Sequence, residues 1–357
     1  MLYAIGQSAA RGAGESVAAC LHCVASRRRS VEDVHWLKEN AELLRVLCAT
    51  RTPVEAAALD GYAAVYAELP SRLQFFPQYY RFILSICRDL EQLGLPGRVA
   101  AQLQRYVTHR QFIEGELSDL QRLEALWLLD AVDANRAPQR ALLDRLRQFG
   151  SNAAFFAVPN RKAAFELTHL VFYLSRYGQH TEAWFADLVP GLLNVGMVAL
   201  LDRDHDLLAE AVVALRFCGV QAPIYWQQVI NSAQAGLTAQ PVLEGGLARD
   251  RYHEVITLGW ALSLDAGHLV LPPVGDSDVF FSRVQRADPP SPLRELSVAL
   301  WRSGDRRSPS WEACVADADF ALSDDTRAAV HTVRASCAAF PAFFEHFARA
   351  VSVVHRG

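Results

Sequence analysis

The chain has 357 residues, 51% of them hydrophobic, enough for a large core and for anything from one to three ordinary domains. Its 35 basic and 39 acidic side chains give a formal net charge of −4, which argues against a nucleic-acid partner. Mean hydropathy is +0.07, and no apolar run is expected to reach the roughly 18 to 20 residues of a membrane span.

The opening stretch, MLYAIGQSAARGAGESVAACLHCVASRRRS, carries its arginines after its apolar part. A secretory signal has the opposite order, so a cytoplasmic location is expected. Seven cysteines (Cys20, Cys23, Cys48, Cys87, Cys218, Cys314, Cys337) are odd in number and scattered, a pattern of reduced, mostly buried thiols. Cys20-Leu21-His22-Cys23 has no second pair to complete a zinc site. Arg27-Arg28-Arg29 reads as a solvated turn, and Ser30-Val31-Glu32-Asp33 leads into an N-capped helix.

Almost every later segment reads as helix. FFPQYYRFILSICRDLEQLG and LQRLEALWLLDAVDAN repeat apolar residues at three and four. Breakers fall at Pro138, Pro159-Asn160, Gly178, Pro223, Gly245-Gly246, Pro272-Pro273 and Pro289-Pro290. Only HLVLPPVGDSDVFFSRV leaves room for a short extended piece. LEGGLARDRYHE sets Gly245 and Gly246 before a helix that could seat an anion, though a plain turn is the simpler reading.

The helices repeat. Aligning THLVFYLSRYG with AEAVVALRFCG superposes Gly178 on Gly219 and His169 on Glu210, and LRELSVALWRSG adds Glu295 before Gly304. Each ionisable residue lies nine positions before its glycine. Glu124 and His253 open comparable apolar stretches, so the series Glu124, His169, Glu210, His253, Glu295 advances by 45, 41, 43 and 42 residues. Arg81 and His331 stand at or near the next positions on either side. A step near 42 residues suits two helices of about 11 to 12 residues and two connections. The expected fold is therefore all-α, with repeated helical hairpins closing into an α/α toroid of six or seven inner helices, or stacking as an open α-solenoid. Residues 1–75 are expected to form an N-terminal helical segment packed on a toroid domain, 76–357, as one continuous domain.

On helix AAFELTHLVFYLSRYG, Glu166 and His169 lie three apart and share a face. The Glu-x-x-His spacing occurs in dinuclear carboxylate sites, but Asp202-Arg203-Asp204-His205-Asp206 only loosely echoes it. His169, Glu210 and His253, at equivalent places on successive inner helices, form a possible facial triad for Fe(II) or Zn. A metal-free polar network of the same residues is the simpler alternative. Glu166 is expected to orient His169 or act as a base. Glu124, Glu210 and Glu295, with Asp130 and Asp133 nearby, suggest paired-carboxylate chemistry of the glycosidase or lyase kind. Asp324-Asp325 lacks the third aspartate of a class I terpene cyclase motif, and no nucleophile elbow, Walker loop or dinucleotide fingerprint is present.

FELTHLVFYLSRYG, LLAEAVVALRFCG and YHEVITLGWAL together resemble an uncharacterised bacterial all-helical family marked by a Phe-Glu-Leu-Thr-His helix and a Tyr-His helix. The resemblance covers about residues 160 to 265, with Ala209 where that pattern has a glycine. It singles out Glu166, His169, Glu210 and His253 and implies no particular activity. The leading expectation is an enzyme of bacterial secondary metabolism, a lyase, cyclase or metal-dependent tailoring enzyme. It would act on a small molecule or peptide in the toroid cavity, with Glu166, Glu210 and Glu295 as catalytic residues and His169, Glu210 and His253 as metal ligands. The alternative from another class is a helical-repeat scaffold that binds a peptide or protein. No membrane partner is expected, and the oligomeric state is open.

Overall fold

The computed structural model describes residues 2–133, 135–241, 250–283 and 291–350, with side chains from residue 14 onward. Gly245-Gly246, with their expected anion seat, and Pro289-Pro290 lie outside the described residues. Among the described residues are seventeen α-helices and two short strands, so the chain is all-α. The helices are α1 (Leu2–Ser26), α2 (Val34–Thr50), α3 (Ala63–Phe75), α4 (Tyr80–Leu93), α5 (Val99–His109) and α6 (Asp119–Leu128). Next come α7 (Ala137–Gly150), α8 (Ala153–Phe156), α9 (Arg161–Leu174), α10 (Val189–Asp202), α11 (His205–Phe217) and α12 (Ile224–Ala235). The last are α13 (Tyr252–Ala266), α14 (Pro292–Ser303), α15 (Trp311–Ala316), α16 (Asp324–Ser336) and α17 (Phe340–Ala348).

Local chemistry sets where the helices begin. Asp33, Ser118, Asn160, Asp204, Ser310 and Ser323 stand at N-caps, each accepting a backbone N–H of the first turn. Gly178, Gly219 and Gly304, the three glycines of the sequence alignment, all adopt positive φ just beyond their helices. That conformation strains any residue with a Cβ, so these glycines suit the turns after α9, α11 and α14, which end at Leu174, Phe217 and Ser303.

By its contacts the chain divides into two compact units, Met1–Leu142 with Asn231–Val284 and Leu143–Ile230 with Gln285–Gly357. The expected N-terminal segment, 1–75, falls inside the first. In that unit α2 and α4 pack together; α1 and α13 lie against α2, and α3, α5 and α6 against α4. Strand β1 (Leu237–Gln240) pairs antiparallel with β2 (Phe280–Arg283). β2 falls in the one stretch whose sequence allowed an extended piece; β1, at four residues, alternates too briefly to stand out from the helix before it.

Polar ties between helices recur at separations of 42 to 44 residues. Arg45 binds Asp89, Arg81 binds Glu124 and Arg88 binds Asp130, at separations of 44, 43 and 42 residues. In the second unit Arg161 binds Asp204 and Thr168 binds Glu210, at 43 and 42. The helices they join, α2 with α4, α4 with α6 and α9 with α11, are in direct contact.

The arginine triplet departs from the expected solvated turn. Arg28 is fully buried, with 0% of its side chain exposed. Its guanidinium grips Glu39 bidentately at 3.0 and 3.1 Å and also binds Asp250 and the Val279 carbonyl. Tyr252 and Phe281 offer it ring faces at 4.8 and 5.3 Å. Burial alone would disfavour the charge, but the Glu39 hydrogen bonds and the Asp250 carboxylate outweigh it and move the pKa of Arg28 upward. The turn is stable inside the protein because carboxylates arrive from elsewhere in the chain to meet it.

A second correction concerns apolar length. Ala183–Asp202 spans 20 residues of mean hydropathy 1.6 and is long and apolar enough to cross a membrane by length and composition. It comprises a 3₁₀ turn, Ala183–Leu188, running into α10. Within the second unit this helix is the core: α8, α9, α11, α14, α16 and α17 all pack on it, which accounts for its being apolar on every side. Small residues let the neighbours approach. A Cβ on Gly196 would lie 2.1 Å from the ring of Trp226, which is completely buried.

Two outcomes follow for stability. Gly196→Ala should lose about 1–3 kcal/mol in a urea melt, the usual cost of overpacking a closed core; an unchanged midpoint would mean that Trp226 moves freely. Arg28→Met leaves Glu39 and Asp250 buried without their main cation and should cost about 3–5 kcal/mol. A loss below about 1 kcal/mol would class the cluster with surface ion pairs.

Candidate functional site

The polar group in the sequence that most needs explaining is Glu210, which sits mid-helix in LLAEAVVAL with 2% of its side chain exposed. An isolated buried carboxylate costs several kcal/mol, so it requires hydrogen-bond donors. One comes from α9: the buried Thr168 hydroxyl lies 2.5 Å from Glu210 Oε2. Next to it is His169, whose Nδ1 is 3.5 Å from the same carboxylate oxygen, 3.4 Å from Thr168 Oγ1 and 2.9 Å from the Phe165 carbonyl. Phe165, Phe172 and Tyr173 pack around the imidazole with ring centroids 6.3, 5.5 and 6.0 Å away.

This surrounding fixes the tautomer. Nδ1 faces oxygens only and donates its hydrogen to the Phe165 carbonyl, so the neutral ring keeps its lone pair on Nε2. Among the described residues none bonds that nitrogen, and the side chain is 34% exposed. The arrangement is a histidine backed by a buried carboxylate and presenting Nε2 outward. Enzymes use it for a general base or a metal ligand.

Charge is concentrated around this pair. Asp206 lies one turn before Glu210 on α11, and their carboxylate oxygens come within 4.8 Å. Arg161, at the start of α9, reaches Asp204 at 2.8 Å and Asp206 at 3.6 Å while stacking over Phe165 at 4.7 Å. Its hydrogen bond to Asp204 chiefly, aided by the charges of Asp206 and Glu210, raises its pKa. Asp204 also caps α11 by accepting the Leu207 N–H, so the loose acidic echo in the sequence serves helix start and ion pairing.

His169 and Glu210 meet. Glu166 pairs with Lys162 one turn back at 3.9 Å, and the carboxylate beside Nδ1 of His169 is that of Glu210. Glu124 and His253 belong to the first unit, where Glu124 binds Arg81 and His253 Nε2 lies 3.8 Å from Glu42 Oε1. Glu295, in the second unit, clamps the start of α16 by accepting the Ser323 N–H and the hydroxyls of Ser323 and Thr326. His331 is exposed on α16. Of the cysteines, all seven are free and only Cys218 is not fully buried. Burial pushes Cys20 up to about 12, which makes its thiol inert, and His22 beside it faces solvent. Sequence reasoning passed over Thr168 and Arg161; their separations of 42 and 43 residues from Glu210 and Asp204 were the available sign.

The surroundings of Glu295 carry a pH dependence. Hydrogen bonds from Thr326, then from Ser323, hold its carboxyl below the ordinary 4.5. Its stabilising effect is thus fully present above the ordinary carboxylate value and is lost as pH falls through the lowered folded value. Glu295→Gln should flatten that acid limb of stability against pH while costing under about 1 kcal/mol at neutrality, because the group is partly exposed. Denaturant melts across the acid range measure it, and parallel curves for variant and wild type would exclude the clamp.

No curated protein and no solved structure matches this chain. A family model described as "Domain of unknown function (DUF6902)" matches residues 4–350. With nearly its whole length matched, the chain belongs to the DUF6902 family.

Proposed function

We propose that this chain is an enzyme that acts on a small molecule or peptide by moving a proton at Nε2 of His169. The observation that carries the reading is the oxygen-only surrounding of Nδ1, with Phe165 O at 2.9 Å and Glu210 Oε2 at 3.5 Å, which leaves Nε2 as the accepting nitrogen. Glu210, beside Nδ1, helps hold the ring's orientation. Thr168 holds Glu210 in turn. The helices that bring these groups together fit a repeated hairpin of about 42 residues, which we propose as the architectural unit, since the Thr168–Glu210 tie spans that separation.

A second reading is a divalent ion, Fe(II) or Zn, on the same Nε2. It is favoured by the exposure of the ring, whose side chain is 34% exposed while its Nδ1 side is held by the Phe165 carbonyl. In it Glu210 stays behind the ring, as carboxylates often do for metal-bound histidines.

One set of proteins separates the readings. Wild type, His169→Gln and Glu210→Gln are freed of metal with a chelator and assayed on a panel of ester, amide, glycosidic and eliminable substrates. Acid–base catalysis predicts turnover that survives chelation, falls by about 10²–10⁴ in His169→Gln and by about 10–100 in Glu210→Gln, with both variants folded. Turnover that requires added zinc or iron, with a metal-dependent rise in melting temperature absent from His169→Gln, supports the second reading. Equal turnover in all three proteins, or none with any substrate, defeats both. Ring ¹⁵N shifts give an independent check: a hydrogen on Nε2 instead of Nδ1 removes the basis of the proposal.

A further inference from the structure

The second unit also contains a cavity of about 260 Å³, bounded by α8, α9, α10, α11 and the first turn of α14. It exists because the helices facing it present small side chains there: Ala163 and Ala164 from α9 and Ala199 from α10. A core at ordinary density would fill such a space with one or two large side chains. Phe155 and Phe156 form its aromatic wall, with Phe149 behind them. The three rings meet edge to face, at centroid separations of 5.3 to 6.2 Å and interplanar angles of 64° to 84°. Phe155 is 41% exposed, so one edge of this array is open to a further ring.

The polar groups at the rim are already committed to the fold. Asn160 accepts the Ala163 N–H at 3.1 Å, and Asp202 accepts the Ser291 hydroxyl at 2.7 Å. Asp204 accepts the Leu207 N–H at 3.1 Å and binds Arg161 at 2.8 Å. Below the rim the lining is apolar, so a charged ligand seated against the alanines and phenylalanines would surrender hydration there that a neutral ring does not carry. The volume is just under the roughly 300 Å³ at which drug-sized pockets begin, so it suits one or two fused rings.

We infer that this cavity is a binding site for a small, neutral aromatic group, such as a single substituted benzene or an indole. The ring completes the edge-to-face array of Phe149, Phe155 and Phe156 and covers the alanine floor. The site is independent of the proton chemistry at His169 and stands or falls without it.

Calorimetric titration of the full chain with indole, phenol, benzoate and benzylamine tests it. Indole and phenol should bind with dissociation constants below about 1 mM, and the two charged compounds at least ten-fold more weakly. Ala199→Leu fills the floor and should weaken indole binding at least ten-fold with melting temperature held or raised. Phe155→Leu, at an exposed wall position that tolerates change, keeps the cavity apolar but removes a ring; it should weaken binding several-fold. If Ala199→Leu fails to fold, Ala164→Val takes its place. Absence of indole binding to wild type, equal binding of benzoate or benzylamine, or unchanged affinity in both the filled and the Phe155→Leu proteins would overturn the assignment.

Discussion

The first unit depends on a cation at its centre. Its two stretches of chain, Met1–Leu142 and Asn231–Val284, are separated by the whole of Leu143–Ile230. Arg28 reaches across that interval to Asp250, 222 residues away, and to the Val279 carbonyl, 251 away. Glu39 holds the other side of the guanidinium and also takes Arg29 at 2.6 Å. Asp250 in turn accepts the Phe281 N–H at 3.0 Å, so the same cluster positions strand β2. Hydrophobic contact alone would join these stretches without specifying their register. A planar fork with fixed donors specifies it, because few placements of the two carboxylates satisfy the fork.

The same logic, at smaller scale, runs through the helices. Members of the ionisable series are ties between neighbouring elements: Glu124 to Arg81 between α6 and α4, Glu295 to Ser323 and Thr326 between α14 and α16, His253 beside Glu42 on α2. His169 differs from the glutamate members in one respect. Its tie to α11 uses one face of an imidazole, and the ring has a second nitrogen left over. Arginine and glutamate ties close on themselves, but a histidine tie leaves chemistry available. The candidate site is thus one member of a structural series whose side chain has a spare functional atom.

The helical class and the glycines of the turns could be read from the chain, because each rests on local rules repeated several times. The positions of the ionisable residues could be read too, since a charge inside an apolar stripe is conspicuous. Their partners could not. Nothing in the sequence near Glu166 and Glu210 says which of them His169 will face, because that depends on how two helices 42 residues apart lie together. Arg28 was misread for a related reason: three consecutive arginines look solvated unless the carboxylate two hundred residues later is known to come back. The apolar length of Ala183–Asp202 is the sum of a 3₁₀ turn and α10, with Pro190 in the first turn of the helix. Proline is tolerated in a helix's first turn, where its missing N–H is not needed.

That apolar helix has a consequence for how the protein is made. α10 is complete at Asp202, but α14, α16 and α17, which cover part of it, begin only at Pro292, Asp324 and Phe340. At the usual pace of synthesis of about 5–20 residues per second, roughly 7 to 30 seconds pass between the ribosome's completing α10 and completing α17. Until α14 begins to form, this apolar helix has α8, α9, α11 and Trp226 of α12 to cover it. The face of α10 that meets α14, α16 and α17 is therefore the part of its apolar surface covered last as the chain is made.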